Sequence, residues 1–132
     1  MRTNVPLTVT VTEDQFIRRQ IGKVCKIKMK KVRITVKKMT SYPDLIEQYE
    51  NPLDHACDMQ FGQVFIANGW ERPEGFCGSA WDTISPFVMT LAHGGENFYD
   101  GWMKNPKSAM LSCNDGFRPV SFLLETMDEE AE

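Results

Sequence analysis

Apolar and polar residues alternate in several stretches of the N-terminal third, which is the pattern of a half-buried β-strand. Residues 7–12 alternate with β-branched side chains, and residues 25–29 and 32–36 alternate with lysine and arginine. The alternation changes phase by one residue at positions 30–31, which predicts a β-bulge or a strand boundary there. A capping pattern before residues 16–21 predicts a short helix after the first strand.

A different periodicity, with apolar side chains at spacings of three and four, marks residues 79–92 and predicts the main amphipathic helix. Pro86 either kinks this helix or begins a second helical piece, and two glycines end it. A proline followed by an acidic residue predicts a second, short helix at residues 43–50. Its side chains expected to face the core are Leu45, Ile46 and Tyr49.

Further strands are predicted in the middle and at the end of the chain. Residues 61–66 include the apolar Phe61, Val64, Phe65 and Ile66, with Gly62 near the start of the run and Gly69 after it, which predicts a strand in the centre of the sheet. Two apolar runs at residues 109–113 and 120–124 flank an Asn-Asp-Gly sequence and predict a C-terminal β-hairpin. Residues 128–132 are acidic and lack large apolar side chains, so we expect this tail to fray.

These elements predict an α+β fold in which a small, mainly antiparallel sheet packs on the helix at residues 79–92. Strand and helix patterns do not alternate often enough for a doubly wound parallel sheet. A chain of 132 residues with 42% apolar content has the size of one domain. Because no long apolar run and no export signal are evident, we expect a cytoplasmic protein without a membrane span, whose cysteines are free thiols rather than disulfides.

Charge is distributed unevenly along the chain. Residues 1–38 hold 11 Lys or Arg and 2 acidic residues, whereas residues 39–132 hold 4 and 16. The basic segment lacks interleaved aromatic residues for base stacking, and its charges alternate with apolar residues as on the solvated face of a strand. The pattern therefore disfavours nucleic-acid binding and predicts attraction between the basic and the acidic part.

Several motifs after residue 28 carry a resemblance to a known family. They are MKKVRITV at residues 29–36, PDL at 43–45, PEGFC at 73–77, AW at 80–81, GG at 94–95, WM at 102–103 and DGFRPVSF at 115–122. On these residues the chain resembles a family of small, functionally uncharacterised bacterial and archaeal proteins. The resemblance implies an N-terminal extension at residues 1–28 and one domain at residues 29–132, and it brings no activity with it.

The same resemblance implies three family cysteine positions, which correspond here to Cys57, Cys77 and Cys113. The tryptophan that the family has just after the second of these is replaced here by Gly78 or Ser79. None of the three cysteines lies in a Cys-x-x-Cys pair, so any metal site must assemble from distant segments. With His55 they would form a thiolate and imidazole set suited to zinc or iron. The alternative is that all three are buried structural thiols, as free cysteines often are.

Cys77 is the candidate nucleophile or redox thiol, because it precedes the main helix, where free amides and the helix dipole favour a thiolate. A nucleophile needs a base, and His55 and His93 are the two imidazoles of the chain. Asp82 is a further candidate, as a carboxylate able to orient or deprotonate a partner.

Candidate ligand-binding residues are one arginine and several aromatic side chains. Arg118 follows a rigid turn and could bind a carboxylate or phosphate on a ligand, or instead pair with Asp82 or Asp115 to hold the hairpin. The aromatic candidates for an apolar pocket are Phe76, Trp81 and Trp102.

Two functions follow from these residues. The first is a small-molecule or metal-binding protein with a cysteine-centred pocket, which would include a thiol-dependent enzyme. The alternative is a non-catalytic module that binds a protein partner and whose cysteines are buried and structural. Convergence of the thiols on one accessible cleft favours the first, and dispersal in apolar interiors favours the second.

Overall fold

The computed structural model describes residues 28–132, which fold as an antiparallel sheet with two helices. The elements are β1 (Lys30–Met39), α1 (Pro43–Tyr49), β2 (Val64–Ala67), α2 (Gly78–Ala92), β3 (Ser108–Ser112) and β4 (Val120–Glu130). The four strands lie in the order β2-β1-β4-β3. The α+β class, the antiparallel sheet and the C-terminal hairpin of β3 and β4 are thereby confirmed. The strand and helix predicted at residues 7–12 and 16–21, and nearly all of the predicted extension, lie outside the described residues.

The core lies between α2 and one face of the sheet. Alternate residues of β1 and β4 point to that face, because successive side chains of a strand point to opposite sides. The fully buried side chains from the two strands are Val32, Ile34, Val36, Phe122 and Leu124, and α2 contributes Ile84, Val88 and Leu91. Burial of each such side chain stabilises the fold by about 1.5–3 kcal/mol. Pro86 lies inside α2, which is one helix and not two pieces.

The phase change predicted at residues 30–31 is a real irregularity of the sheet. The pairing of β1 with β4 shifts register between Lys30 and Val32, and again between Val36 and Lys38. The first shift allows Val32 to face the core even though Met29 lies out of phase with it. The sheet is therefore irregular where the change of phase predicted a bulge or a strand boundary.

The strand predicted at residues 61–66 begins later and occupies a different place. It spans four residues at the edge of the sheet, and the prediction of a central strand is wrong. β1 pairs with β2 over four residues but with β4 over most of its length, so β1 and β4 take the centre. Val64 and Ile66 consequently stay 51% and 40% exposed on the face of the sheet opposite α2.

α1 does not pack in the way the sequence pattern predicted. None of its residues is buried, and Leu45 and Tyr49 are exposed, so the prediction that they face the core is wrong. The helix is held at its ends instead. The N–H of Tyr42 donates to the carbonyl of Phe117 at 2.9 Å, and Glu50 pairs with an arginine of the same loop.

The acidic tail is part of the sheet rather than frayed. β4 continues to Glu130, and the N–H of Ala131 donates to the carbonyl of Met29 at 2.7 Å. Lys31 Nζ lies 3.2 Å from Glu129 and 3.3 Å from Glu132. Lys31 donates hydrogen bonds to the carboxylates of Glu129 and Glu132, and these bonds raise the pKa of Lys31 above its usual 10.5. The fray was wrongly predicted because the tail continues the backbone pairing of β4 with β1 as far as Glu130, which the lack of apolar side chains does not reveal.

Between residues 28 and 132, neither helix has the length and apolar character needed to cross a membrane.

Candidate functional site

A cavity of about 320 Å³ lies at the N-terminal end of α2, and three cysteines from distant segments line it. We call it the thiol pocket. Cys57 comes from the loop before β2, Cys77 from the residue before α2, and Cys113 from the residue after β3. Ala80, Val120 and Phe122 give the cavity an apolar lining, and its polar lining is Ser79, Asn114, Asp115 and Arg118.

The three thiols have different surroundings. Cys57 and Cys113 are half-buried and pack against the core, whereas Cys77 is exposed. The sulfur of Cys57 accepts the N–H of Met59 at 3.3 Å, and the sulfur of Cys113 accepts the N–H of Val120 at 3.3 Å. None of the three forms a disulfide. Exposure of Cys77 is at odds with the interpretation of all three as buried structural thiols.

A tight turn anchored by an aromatic ring presents Cys77 to the pocket. The N–H of Phe76 donates to the carbonyl of Pro73 at 3.2 Å, and Gly75 takes the positive φ of 79° that such a turn requires. Phe76 is 4% exposed, and its ring meets that of Phe65 edge-on with centroids 4.9 Å apart. Because Phe76 is fixed in the core, the next residue, Cys77, has a defined position at the start of α2.

The loop between β3 and β4 is fixed by its own polar side chains. Asp115 Oδ1 accepts the N–H groups of Phe117 at 2.8 Å and Arg118 at 3.1 Å, which closes an Asx turn. Ser79 Oγ donates to Asn114 Oδ1 at 2.8 Å and so ties the loop to the first turn of α2. This contact keeps Cys113 and Cys77 on the same cavity.

Arg118 has a partner that the sequence did not suggest. Its Nη1 lies 2.7 Å from Oε1 of Glu50, directly after α1, and both side chains are largely buried. The predicted pairing with Asp82 or Asp115 is therefore wrong, because Asp115 is used by backbone N–H groups and Asp82 does not line the pocket. Arg118 itself does line the pocket.

His93 is not brought to Cys77. The two residues cap opposite ends of α2, and a helix of 15 residues separates them by about 22 Å. His93 Nδ1 donates to the carbonyl of Met89 at 2.8 Å. The predicted pairing of Cys77 with His93 as its base is incompatible with this geometry.

The predicted aromatic residues also lie outside the lining of the thiol pocket. Phe76 and Trp81 pack on each other, with centroids 5.9 Å apart, and Phe76 belongs to the core beneath the pocket. Trp102 follows the far end of α2 and packs edge-on against Tyr99. A pocket formed by Phe76, Trp81 and Trp102 is therefore not what the described residues show, and the aromatic side chain that does line the thiol pocket is Phe122.

A second cavity, of about 300 Å³, adjoins the first and shares Cys57 and Cys77 with it. His55 and Asp58 line this second cavity, and His55 Nε2 is hydrogen-bonded to Asp58 Oδ1. Both side chains are exposed. His55 is thus the imidazole that lies near the thiols.

Zinc or iron binding by Cys57, Cys77, Cys113 and His55 has no preformed site. Within residues 28–132, no group of three or more His, Cys, Asp or Glu side chains is arranged to hold a metal ion. The half-buried thiols would have to leave their N–H partners or rotate to ligate an ion together. Metal binding therefore stays a prediction.

No protein-family model, no curated protein and no solved structure matches this chain.

Proposed function

We propose that this protein binds a small molecule in the thiol pocket and that Cys77 is the residue that contacts the reactive part of the ligand. The observation that supports this is the meeting of Cys57, Cys77 and Cys113 on one cavity. These residues are 20 and 36 positions apart along the chain, so only the fold brings them together. We also propose that the protein is cytoplasmic, because the reducing conditions there preserve free thiols.

The pocket suits a small ligand with an apolar body and one polar end. Its volume of about 320 Å³ is near the lower end for ligand sites in proteins. Ala80, Val120 and Phe122 would contact the apolar part, and Ser79, Asn114 and the free donors of Arg118 would contact the polar part. Because Arg118 is already paired with Glu50, its role is to offer directed hydrogen bonds rather than net charge.

The test uses a library of small chloroacetamides, each with a different side group, in a Cys25→Ser background. The rate at which each reagent labels Cys77 in the unfolded protein in urea gives its intrinsic reactivity. A reagent that fits the pocket should label Cys77 in the folded protein at least about tenfold faster than this intrinsic reactivity implies. Such a gain in rate corresponds to about 1.4 kcal/mol of binding free energy. Site-resolved mass spectrometry measures the rates, and His93→Gln at the far end of α2 is the matched control. If every reagent reacts in the same ratio with folded and unfolded protein, the pocket has no ligand preference and the proposal fails.

The same preparation addresses the metal and the family. Elemental analysis and native mass spectrometry of protein purified without oxygen will show any bound ion or copurified molecule, and Cys77→Ser should release it. The resemblance of residues 29–132 to the small prokaryotic family extends the proposal to that family, whose members should then label at the cysteine of the PEGFC motif.

A second candidate function is protein binding through the open face of the sheet. Val64, Ile66 and Met110 are 51%, 40% and 39% exposed there, and α2 covers only the opposite face. Under this alternative, Cys77→Ser would leave binding of the partner unchanged, whereas Ile66→Lys would abolish it. Crosslinking in cell extract compares the two variants.

A further inference from the structure

The cavity beside the thiol pocket is lined by a hydrogen-bonded pair of side chains that can transfer protons, His55 and Asp58. His55, Asp58, Cys57 and Cys77 all line it, together with Gln63 and Gly75. His55 Nε2 donates to the carboxylate of Asp58, so in the neutral ring the lone pair is on Nδ1. A carboxylate, an imidazole and a thiol, the three kinds of group that activated cysteine nucleophiles use, thus line one cavity.

We propose that His55 accepts the thiol proton of Cys77 and that Asp58 is the residue that positions the imidazole. This inference rests on the proposed function, since it assigns chemistry to the same thiol. The chain has two histidines, and the second, His93, lies about 22 Å away at the other end of α2. His55 is therefore the imidazole that the fold offers to Cys77.

The choice of Cys77 over Cys57 follows from the contacts of the two sulfurs. Cys57 is half-buried, and its sulfur already accepts the N–H of Met59 at 3.3 Å. Cys77 is exposed, and its side chain makes no capping hydrogen bond with α2. A sulfur that is accessible and not engaged by the backbone is the one that can approach a ligand.

The substrate class is a small molecule with an electrophilic carbon that carries a leaving group, such as the carbonyl carbon of a thioester. The proton of the Cys77 thiol passes to Nδ1 of His55, and the sulfur electron pair forms a bond to the carbon. The bond to the leaving group breaks, and that group departs with the bonding electrons. It then takes the proton from His55, so atoms and charge balance.

Other charged groups face the thiol from across the two cavities. Asp58 lies on the side of His55, and Asp115, Arg118 and the thiol of Cys113 lie on the side of the hairpin loop. The positive charge of Arg118 is matched by Glu50. The side chains of His55 and Asp58 are 68% and 96% exposed, so water competes with their contact and the rate gain should lie below the roughly 10²-fold minimum that is typical of a general base.

The experiment measures alkylation of Cys77 by iodoacetamide from pH 6 to pH 10, in the Cys25→Ser background. Site-resolved mass spectrometry gives the rate at Cys77, and circular dichroism confirms that each variant is folded. At neutral pH, His55→Gln should slow the reaction by about tenfold and Asp58→Asn by about threefold, both below the 10² that a fully engaged base can give. At pH 10, where hydroxide takes the proton directly, the rates should converge. His93→Gln should match the parent at every pH.

Two results separate the inference from the proposed function. If His55→Gln matches the parent at every pH while pocket-fitting chloroacetamides still select Cys77, the assignment of His55 is overturned and the binding pocket stands. If those chloroacetamides show no preference for Cys77 in the folded protein, the proposed function fails as well. A slowdown that is the same at pH 6 and pH 10 indicates a structural effect of the substitution and also overturns the base assignment.

Discussion

The two ends of α2 are built from the same helix but differ in what surrounds them. At the N-terminal end, Cys77 meets loops that carry Cys57 and Cys113, and a cavity remains between them. At the C-terminal end, the chain turns back at Gly94, and Phe98 packs on Phe87 with ring centroids 5.0 Å apart. The N-terminal end of α2 thus has reactive side chains around a cavity, whereas the C-terminal end is filled by packed aromatic side chains.

The difference shows how a small fold makes room for a site. The loops at the N-terminal end are fixed by side chains that bond to one another and to the backbone, such as Ser79 to Asn114 and Asp115 to the N–H of Arg118. Because these contacts run through side chains, they hold the neighbouring loops about one side chain apart and leave a cavity between them. Apolar packing at the C-terminal end fills the space instead. We therefore expect substitutions at the closed C-terminal end to lower the free energy of unfolding more than substitutions at the open N-terminal end.

The largest effect on stability is expected in the closed half of α2. Leu91 is fully buried, so Leu91→Ala should lower the free energy of unfolding by about 2–5 kcal/mol through lost burial and a new cavity. Met89→Ala, at a residue 48% exposed on the same turn, should change it by less than about 0.5 kcal/mol. Urea denaturation measures both. Equal effects of the two substitutions would mean that Leu91 does not pack as described.

A smaller effect is expected at the open end. Arg118→Ala leaves the largely buried carboxylate of Glu50 without its partner and should lower the free energy of unfolding by about 1–3 kcal/mol. Arg72 is exposed, and Arg72→Ala is the matched control, with an expected change within about 0.5 kcal/mol. Urea denaturation again gives the values. If Arg118→Ala is as mild as the control, the ion pair does not hold the loop to α1.

Between the two ends, Pro86 interrupts the hydrogen bonds of α2. It has no N–H to donate to the carbonyl of Asp82, so Pro86→Ala should stabilise the fold by about 1 kcal/mol. This gain is smaller than the usual cost of about 3 kcal/mol for a proline inside a helix, because the substitution also gives the unfolded chain more conformational freedom. Thermal unfolding measures the gain, and labelling of Cys77 should be unchanged. A loss of stability would show that the proline is needed for the shape of α2.

The smallest effect is expected at the sheet, away from both ends of the helix. The pKa of Lys31 is raised in the folded state, so its contribution to stability is present below 10.5 and is lost as pH rises through the higher folded value. As the pH rises above about 10.5, the melting temperature of Lys31→Met should therefore fall less than that of the parent. An identical fall in both proteins would mean that the ion pairs with Glu129 and Glu132 contribute nothing.

Local signals in the sequence predicted α2 and the C-terminal hairpin well. The apolar spacing of residues 79–92 and the Asn-Asp-Gly turn are properties of neighbouring residues, and the structure has α2 at Gly78–Ala92 and the paired strands β3 and β4. The change of phase at residues 30–31 likewise predicted the register shift. These features need no knowledge of distant parts of the chain.

Features that depend on distant pairing could not be predicted. The apolar run before Ala67 indicated a strand, but its place at the edge depends on the longer pairing of β1 with β4. Glu50 and Arg118 are 68 positions apart, and no local pattern connects them. The convergence of the thiols on one cavity also depends on the fold of distant segments, and the length of α2 keeps His93 and Trp102 away from it.

The most direct test of a shared thiol pocket is whether modification of one of its cysteines protects the other two from labelling. In the Cys25→Ser background, Cys77 is first modified with N-ethylmaleimide, and labelling rates of Cys57 and Cys113 are then measured by site-resolved mass spectrometry. The control protein carries Cys77→Ser and His93→Cys, so that the adduct sits at the closed end of α2. A shared pocket predicts that the adduct at position 77 slows both cysteines by about tenfold, equivalent to about 1.4 kcal/mol in activation free energy, and that the adduct at position 93 slows neither. Unchanged rates at Cys57 and Cys113 after modification of Cys77 would contradict the shared pocket.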